Sequence, residues 1–215
     1  MHRPSIILAG WTAIFVLAAA PAQAEDYTSS RGFSMTIPDG WLLVDADRAA
    51  EALRRCPRLA RLAKGLDFNR VAMCAAKQEP GFARNINVVV EYQKLPMDEE
   101  GRAKYTKHLR SELAARGITL DELTVDFTTL DGTRCLRGVF EWDVPGRDLT
   151  VKQMQVFLPA GAKTLVITCT ASRDQFEETL PLFNRTLASF EVSTSMADIW
   201  YGLPKPVRWG LIGGV

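Results

Sequence analysis

The sequence predicts an α+β fold, an antiparallel sheet of about six to seven strands flanked by helices. Three observations carry this. Gly32 to Pro38 alternates apolar and polar residues with the period of a half-buried strand. Segments 98–116 and 172–190 repeat apolar residues at helical spacing. Between them, runs 122–130, 133–144, 149–159 and 163–171 are strand-like, and short Gly-containing breaks separate them as in antiparallel hairpins.

Taken in order, the chain opens with Met1-His2-Arg3, an apolar run from Ile6 to Ala20, and Ala22-Gln23-Ala24 just before Glu25-Asp26. A short basic start, an apolar stretch and small residues at the cleavage positions are the layout of a secretory signal cut after Ala24. The run is shorter than the roughly 18–20 residues of a spanning helix, and acidic residues follow it. No Cys follows the cut, so a bacterial-type lipid-modified N-terminus is excluded. The address is therefore periplasmic or secreted.

Residues 25–31 read as an exposed lead-in. In the strand that follows, Phe33, Met35 and Ile37 alternate with Ser34 and Thr36; Pro38-Asp39-Gly40 supplies a turn, and Trp41 to Val44 continues extended. Asp45 to Leu66 is helical, with Asp45 or Asp47 as N-cap and a break or kink at Pro57. Residues 68–77 and 85–93 are strands; Ile86, Val88, Val90 and Tyr92 share one face, and Val89 marks the other as partly covered.

Asp98 to Arg116 is the clearest helix. Glu99 and Glu100 suit its positive end, Arg110 and Arg116 its negative end, and Tyr105, Leu109 and Leu113 form its buried stripe. Gly117 suits the position past its end. After the four-strand meander, Ser172 with Gln175 forms a capping box for a helix whose apolar face is Phe176, Leu180, Phe183 and Leu187; Pro181 bends or restarts it. The chain thus divides into a leader (1–24), one domain (25–190) and a tail (191–215) rich in Trp, Pro and Gly.

Loss of the leader leaves roughly 190 residues, enough for one domain with a proper core. Of 26 basic residues only Arg3 is lost, against 25 acidic ones, so the remaining chain is formally neutral. No global field draws it to nucleic acid. A hydrophobic content of 47% argues against disorder.

The element order, with Gly32-Phe33-Ser34-Met35-Thr36-Ile37-Pro38-Asp39-Gly40-Trp41 at the front, resembles the PsbP-like and DcrB-like family. So do Val151-Lys152-Gln153-Met154-Gln155-Val156-Phe157, then Thr164 to Ala171, and the ending Phe176…Leu182-Phe183…Ser189-Phe190. The resemblance spans about residues 31–190 and rests on element order more than on any motif. It implies a PsbP-like α/β/α sandwich. It also implies a mostly non-enzymatic role as an accessory subunit, partner-binding module or envelope protein. It brings no catalytic residues.

Several constellations remain to be weighed. Cys56 and Cys74 are candidates for a disulfide pinning a helix to the sheet, worth about 3 kcal/mol by loop entropy; the alternative is two small buried thiols. In a simple meander one strand lies between Cys135 and Cys169, roughly 10 Å apart and beyond disulfide reach, and Cys169, in phase with Leu165 and Ile167, reads as a buried thiol. No C-x-x-C occurs, and no metal or cofactor is implied.

Arg54, Arg58 and Arg61 share a helix face and form a candidate surface for anionic lipid or an acidic partner, against an ordinary solvated face. Trp200, Tyr201 and Trp209 in the tail suit membrane headgroups or a partner groove, or pack back on the domain. Gln153 and Gln155 either line a ligand groove or face water at an edge. His108, with Lys104 and Glu112 one turn away on either side, reads as a surface histidine. No nucleophile is placed beside it, and no G-x-S-x-G, Cys–His or H-E-x-x-H pattern occurs.

The sequence thus points to a non-enzymatic accessory or partner-binding protein of the cell envelope. Its partner would be an envelope protein or membrane complex, with peripheral membrane contact through the tail. The alternative is a ligand- or lipid-binding protein, or a small hydrolase, using a pocket between sheet and helix.

Overall fold

A computed structural model describes residues 24–45, 70–77, 82–115, 117–120 and 122–193. The leader up to Gln23, Arg54, Cys56, Arg58, Arg61, and the tail aromatics Trp200, Tyr201 and Trp209 lie outside the described residues.

Ten strands and two helices are described. In chain order they are β1 (Glu25–Ser29), β2 (Phe33–Ile37), β3 (Trp41–Asp45), β4 (Val71–Lys77), β5 (Asn85–Glu91), α1 (Glu99–Ala114), β6 (Leu123–Leu130), β7 (Thr133–Asp143), β8 (Thr150–Ala160), β9 (Lys163–Ser172), α2 (Arg173–Ala188) and β10 (Glu191–Val192). Seven strands form the main sheet in the order β3-β4-β5-β9-β8-β7-β6, and β1-β2-β10 form a second, small sheet. Every pairing is antiparallel. The α+β fold class expected from the sequence is the one observed.

The meander closes through tight turns. Asp131 and Gly132 both take positive φ, 46° and 71°, as the two-residue hairpin between β6 and β7 requires. The main sheet is covered on both faces. On one face Met154, Val156, Leu165, Ile167, Ile86 and Val88 pack beneath Phe176, Phe183 and Leu187 of α2, joined by Phe33, Met35 and Ile37 of β2. Trp41 meets Phe183 edge-on at 6.4 Å, and Phe33 stacks on Phe190 at 5.0 Å. Each such aromatic contributes about 1.5–3 kcal/mol by burial. On the other face Leu136, Phe140, Trp142, Phe157 and Val166 pack beneath Tyr105, Leu109 and Leu113 of α1.

Several details depart from expectation. Residues 25–29 are not a lead-in but β1, paired along the whole of β2. Tyr27 of β1 meets Phe33 of β2 edge-on at 6.0 Å. β10 pairs with β2 just past Phe190. Tyr92 does not continue the buried face of β5; it is 61% exposed, and Arg31 donates to its hydroxyl at 2.9 Å. α2 runs from Arg173 to Ala188 with Pro181 inside it, and Thr179 and Thr186 are buried where Leu180 is only partly so. The capping box is incomplete: the Ser172 hydroxyl donates to Gln175 Oε1 at 2.9 Å and makes no bond to the backbone.

The cysteines follow from the topology. Cys135 on β7 and Cys169 on β9 are free and buried, with β8 between them. Cys74 on β4 is also a free thiol, packed in the apolar layer under α1, where burial pushes it up to about 12. The expected Cys56–Cys74 bond is therefore not part of this structure.

An ion network docks the start of α2. Glu141 on β7 is buried, and Arg173 donates to its Oε2 at 2.6 Å. Lys152 on β8 stands 3.3 Å from Glu141 Oε1 and 2.9 Å from Glu177 on α2. Desolvation pushes the Glu141 carboxyl up, but the hydrogen bonds from Arg173 and Lys152 outweigh it and hold it below the usual range. A depressed carboxylate stabilises the fold above its unfolded value and loses that contribution as pH falls through the folded one. Glu141→Gln is therefore expected to cost about 1–2 kcal/mol near neutral pH. The deficit should shrink below about pH 4. Urea unfolding across that range measures it.

Candidate functional site

A half-open cavity of about 80 Å³ lies between α1 and the central strands β5, β9 and β8. Its existence follows from how α1 seats. Tyr105 is the first large residue of the buried stripe, and its ring lies over Gly138 in the middle of β7. A Cβ at Gly138 would come within 2.5 Å of the Tyr105 hydroxyl and 2.7 Å of its ring. A glycine inside a strand thus marks a close approach. The ring meets Phe157 edge-on at 4.7 Å, and the hydroxyl donates to Gln155 Oε1 at 2.9 Å. Burial pushes the Tyr105 phenol far up, so it stays a neutral donor.

The segment from β5 to α1 forms the side wall. Thr164 at the start of β9 pins it: its hydroxyl donates to the Gln93 carbonyl at 2.8 Å and accepts from the Leu95 N–H at 3.2 Å. The turn into α1 is held by Asp98, whose carboxylate accepts from the Gly101 N–H at 2.9 Å. Gly101 itself leaves room for the Pro96 carbonyl, which a Cβ there would strike. Leu95 is thereby placed against Val89, Phe157 and Val166, and these four make the apolar wall.

The polar lining is small. Gln155 and Thr168 face each other across β8 and β9 and form the floor. Lys94, Lys104 and His108 stand at the mouth. Glu91 also lines it, but Arg70 pairs with its carboxylate. His108 is not the surface histidine expected from the sequence. It is half-buried on the wall, with Nε2 3.7 Å from Glu112 Oε2 and no hydrogen-bond partner. α1 turns that face toward the sheet because the stripe of Tyr105, Leu109 and Leu113 is broad enough to carry its neighbour inward.

The two glutamines are decided by the fold. β8 is a central strand, so neither faces water at an edge; Gln155 lines the cavity, and Gln153 is 1% exposed with both amide atoms unpartnered. Among the described residues no three His, Cys, Asp or Glu side chains converge as a metal site would need. No described helix is long and apolar enough to cross a membrane. Gly138, Lys94 and Thr168 join the site without standing in any functional motif of the sequence. A lone glycine inside strand 133–144 was the available signal for the first; the other two carry none.

Gly138→Ala is expected to push Tyr105 off the sheet and break its bond to Gln155. The expected cost is about 1–3 kcal/mol, typical of overpacking. The indole and phenol signals in near-ultraviolet circular dichroism should change with it. Tyr105→Phe in the same background should then cost little more, since the hydroxyl bond is already lost.

No protein-family model and no curated protein sequence matches the chain. Solved structures do. The chain is similar to the cyanobacterial PsbP (CyanoP) from Synechocystis sp. PCC 6803, at 16% identity and a TM-score of 0.53, covering 80% of this chain and 94% of that one. Two more are LpqN, involved in cell envelope biogenesis of Mycobacterium tuberculosis, at 14% identity, and the protein PA94 of Pseudomonas aeruginosa, at 12%. Each aligns over 81% of this chain, and over 90% and 100% of its own length respectively, with a TM-score of 0.44. A seven-stranded antiparallel sheet between two helices, in this order and with this likeness to CyanoP, is a PsbP-like fold.

Proposed function

We propose that this chain is exported and works at the cell envelope as a non-catalytic accessory protein, by binding, with the cavity under α1 as its ligand site. The cavity carries this reading. It is concave, mostly apolar, and has a few convergent polar groups, which is the make-up of a binding site. The groups around it suit holding better than reacting. Tyr105 is kept neutral by burial, and its hydroxyl is spent on Gln155. The nearby thiol of Cys74 is pushed up to about 12 and stays protonated at neutral pH. Nucleophilic catalysis needs a nucleophile within about 2.6–3.2 Å of its base, and His108 Nε2 has no hydrogen-bond partner.

The envelope address is supported by the leader at residues 1–24 and by the roles that the PsbP-like and DcrB-like resemblance implies. The spacing of Arg54, Arg58 and Arg61 and the composition around Trp200, Tyr201 and Trp209 support contact with an envelope partner or membrane headgroups.

Two measurements test this. The exported protein should begin at Glu25 by intact mass; a protein found in the cytoplasm with residues 1–24 still attached would remove the envelope role. A small neutral probe, 3-methylbutan-1-ol, whose branched end fits the cavity, should shift the backbone amide resonances of Val89, Val166 and Thr168 saturably. Val166→Phe should fill the space and abolish that binding while circular dichroism stays unchanged. Shifts that scatter over the protein without saturating would refute the cavity as a site.

A further inference from the structure

We infer that the cavity selects a small amphipathic carboxylate: a short branched aliphatic group inside, with the carboxylate at the mouth between Lys94 and Lys104. This rests on the binding role proposed above and adds the chemistry of the ligand. The cavity and such a ligand are complementary in size and in charge.

Size limits what enters. About 80 Å³ is roughly half the cavity of about 150 Å³ that takes benzene. By the same comparison about three carbons, a terminal isopropyl group, fit that space. A long acyl chain would leave most of its length outside. Val89, Leu95, Phe157 and Val166 supply the apolar surface against which such a group is buried.

Charge sets the other end. Lys94 and Lys104 are exposed at the rim, one on the β5–α1 segment and one on the second turn of α1, and neither has an ion-pair partner among the described residues. The acidic group in the lining, Glu91, is already paired with Arg70, so it does not cancel them. Within the cavity Tyr105 takes the Gln155 carbonyl. That leaves the Gln155 amide with its N–H groups to offer as donors, beside the Thr168 hydroxyl in the lining. Donors inside and cations at the mouth favour a ligand rich in acceptor oxygens, and they disfavour an amine.

The choice is testable with 3-methylbutanoate, 3-methylbutan-1-ol, 3-methylbutylammonium and acetate, titrated into the exported full-length protein and followed by the amides of Val89, Val166 and Thr168. The carboxylate should bind about five- to tenfold tighter than the alcohol, as two half-exposed charge-assisted contacts allow. The ammonium should bind more weakly than the alcohol, and acetate more weakly than 3-methylbutanoate. The double variant Lys94→Gln, Lys104→Gln should keep alcohol binding and lose the preference for the carboxylate. A preference that survives this variant, equal binding of alcohol and carboxylate, or acetate matching 3-methylbutanoate would each overturn the assignment while leaving the cavity a binding site. Failure of all four probes would remove the ligand assignment together with the cavity's role.

Discussion

The fold depends on one ladder, the antiparallel pairing of β5 with β9. It joins Asn85 through Glu91 to Thr170 through Thr164, residue by residue. On one side of it hang β4 and β3; on the other, β8, β7 and β6. Without this ladder the chain is two separate meanders, each with an open edge. The partners are far apart in sequence, so closing the ladder costs more loop entropy than any of the hairpins. What offsets that cost is burial on both faces. Ile86, Val88, Leu165 and Ile167 go under α2, and Val89 and Val166 under α1. β9 then runs directly into α2, so the strand that closes the sheet also positions the helix that covers it.

The two faces differ in character, and the difference places the cavity. Under α2 the buried side chains of the central strands are apolar. Under α1 they present two rows of polar ones, Asn85–Thr170–Gln153 and Asn87–Thr168–Gln155, each crossing three strands in register. All six residues are buried. A buried amide without partners costs about 1–3 kcal/mol, and an apolar residue of the same size would avoid it. Gln153 carries that cost with both amide atoms enclosed. Such local conflicts belong where a protein works more than where it merely packs, and here they lie beside the cavity. Gly138 belongs to the same arrangement. It weakens β7 as a strand but lets Tyr105 lie flat enough to reach Gln155.

The α2 face shows the opposite economy. Its charged groups are satisfied as a set: Glu141 is bracketed by Arg173 and Lys152, and Lys152 reaches on to Glu177. Lys152 also lies 5.2 Å from the centre of the Phe176 ring, close enough for a cation–π contact. Helix and sheet are therefore locked by polar groups at one end of α2 and by aromatic packing along the rest. A closely packed α2 face and a partly polar, partly open α1 face fit a scaffold with the proposed ligand site on one side.

Local pattern alone determined much of this protein. Period-2 alternation located β2 and β5, strand-like runs located the others from β3 to β9, and helical spacing picked out Tyr105, Leu109 and Leu113 as the stripe that packs. Glycine-bearing breaks announced the meander, and from its strand order came the separation of Cys135 from Cys169. These succeed because backbone period and turn chemistry are encoded by neighbours in sequence. Tertiary structure decided the rest. β1 exists because β2 offers it an edge, not because Glu25–Ser29 has a strand pattern. Cys74 is a free thiol because its strand aims it into the layer under α1. His108 joins a wall, Gln155 a floor, and Lys94 and Lys104 a rim only when the β5–β9 ladder and the Tyr105–Gly138 contact bring five elements together. A binding cavity is a relation between residues distant in the chain, and no local period records it.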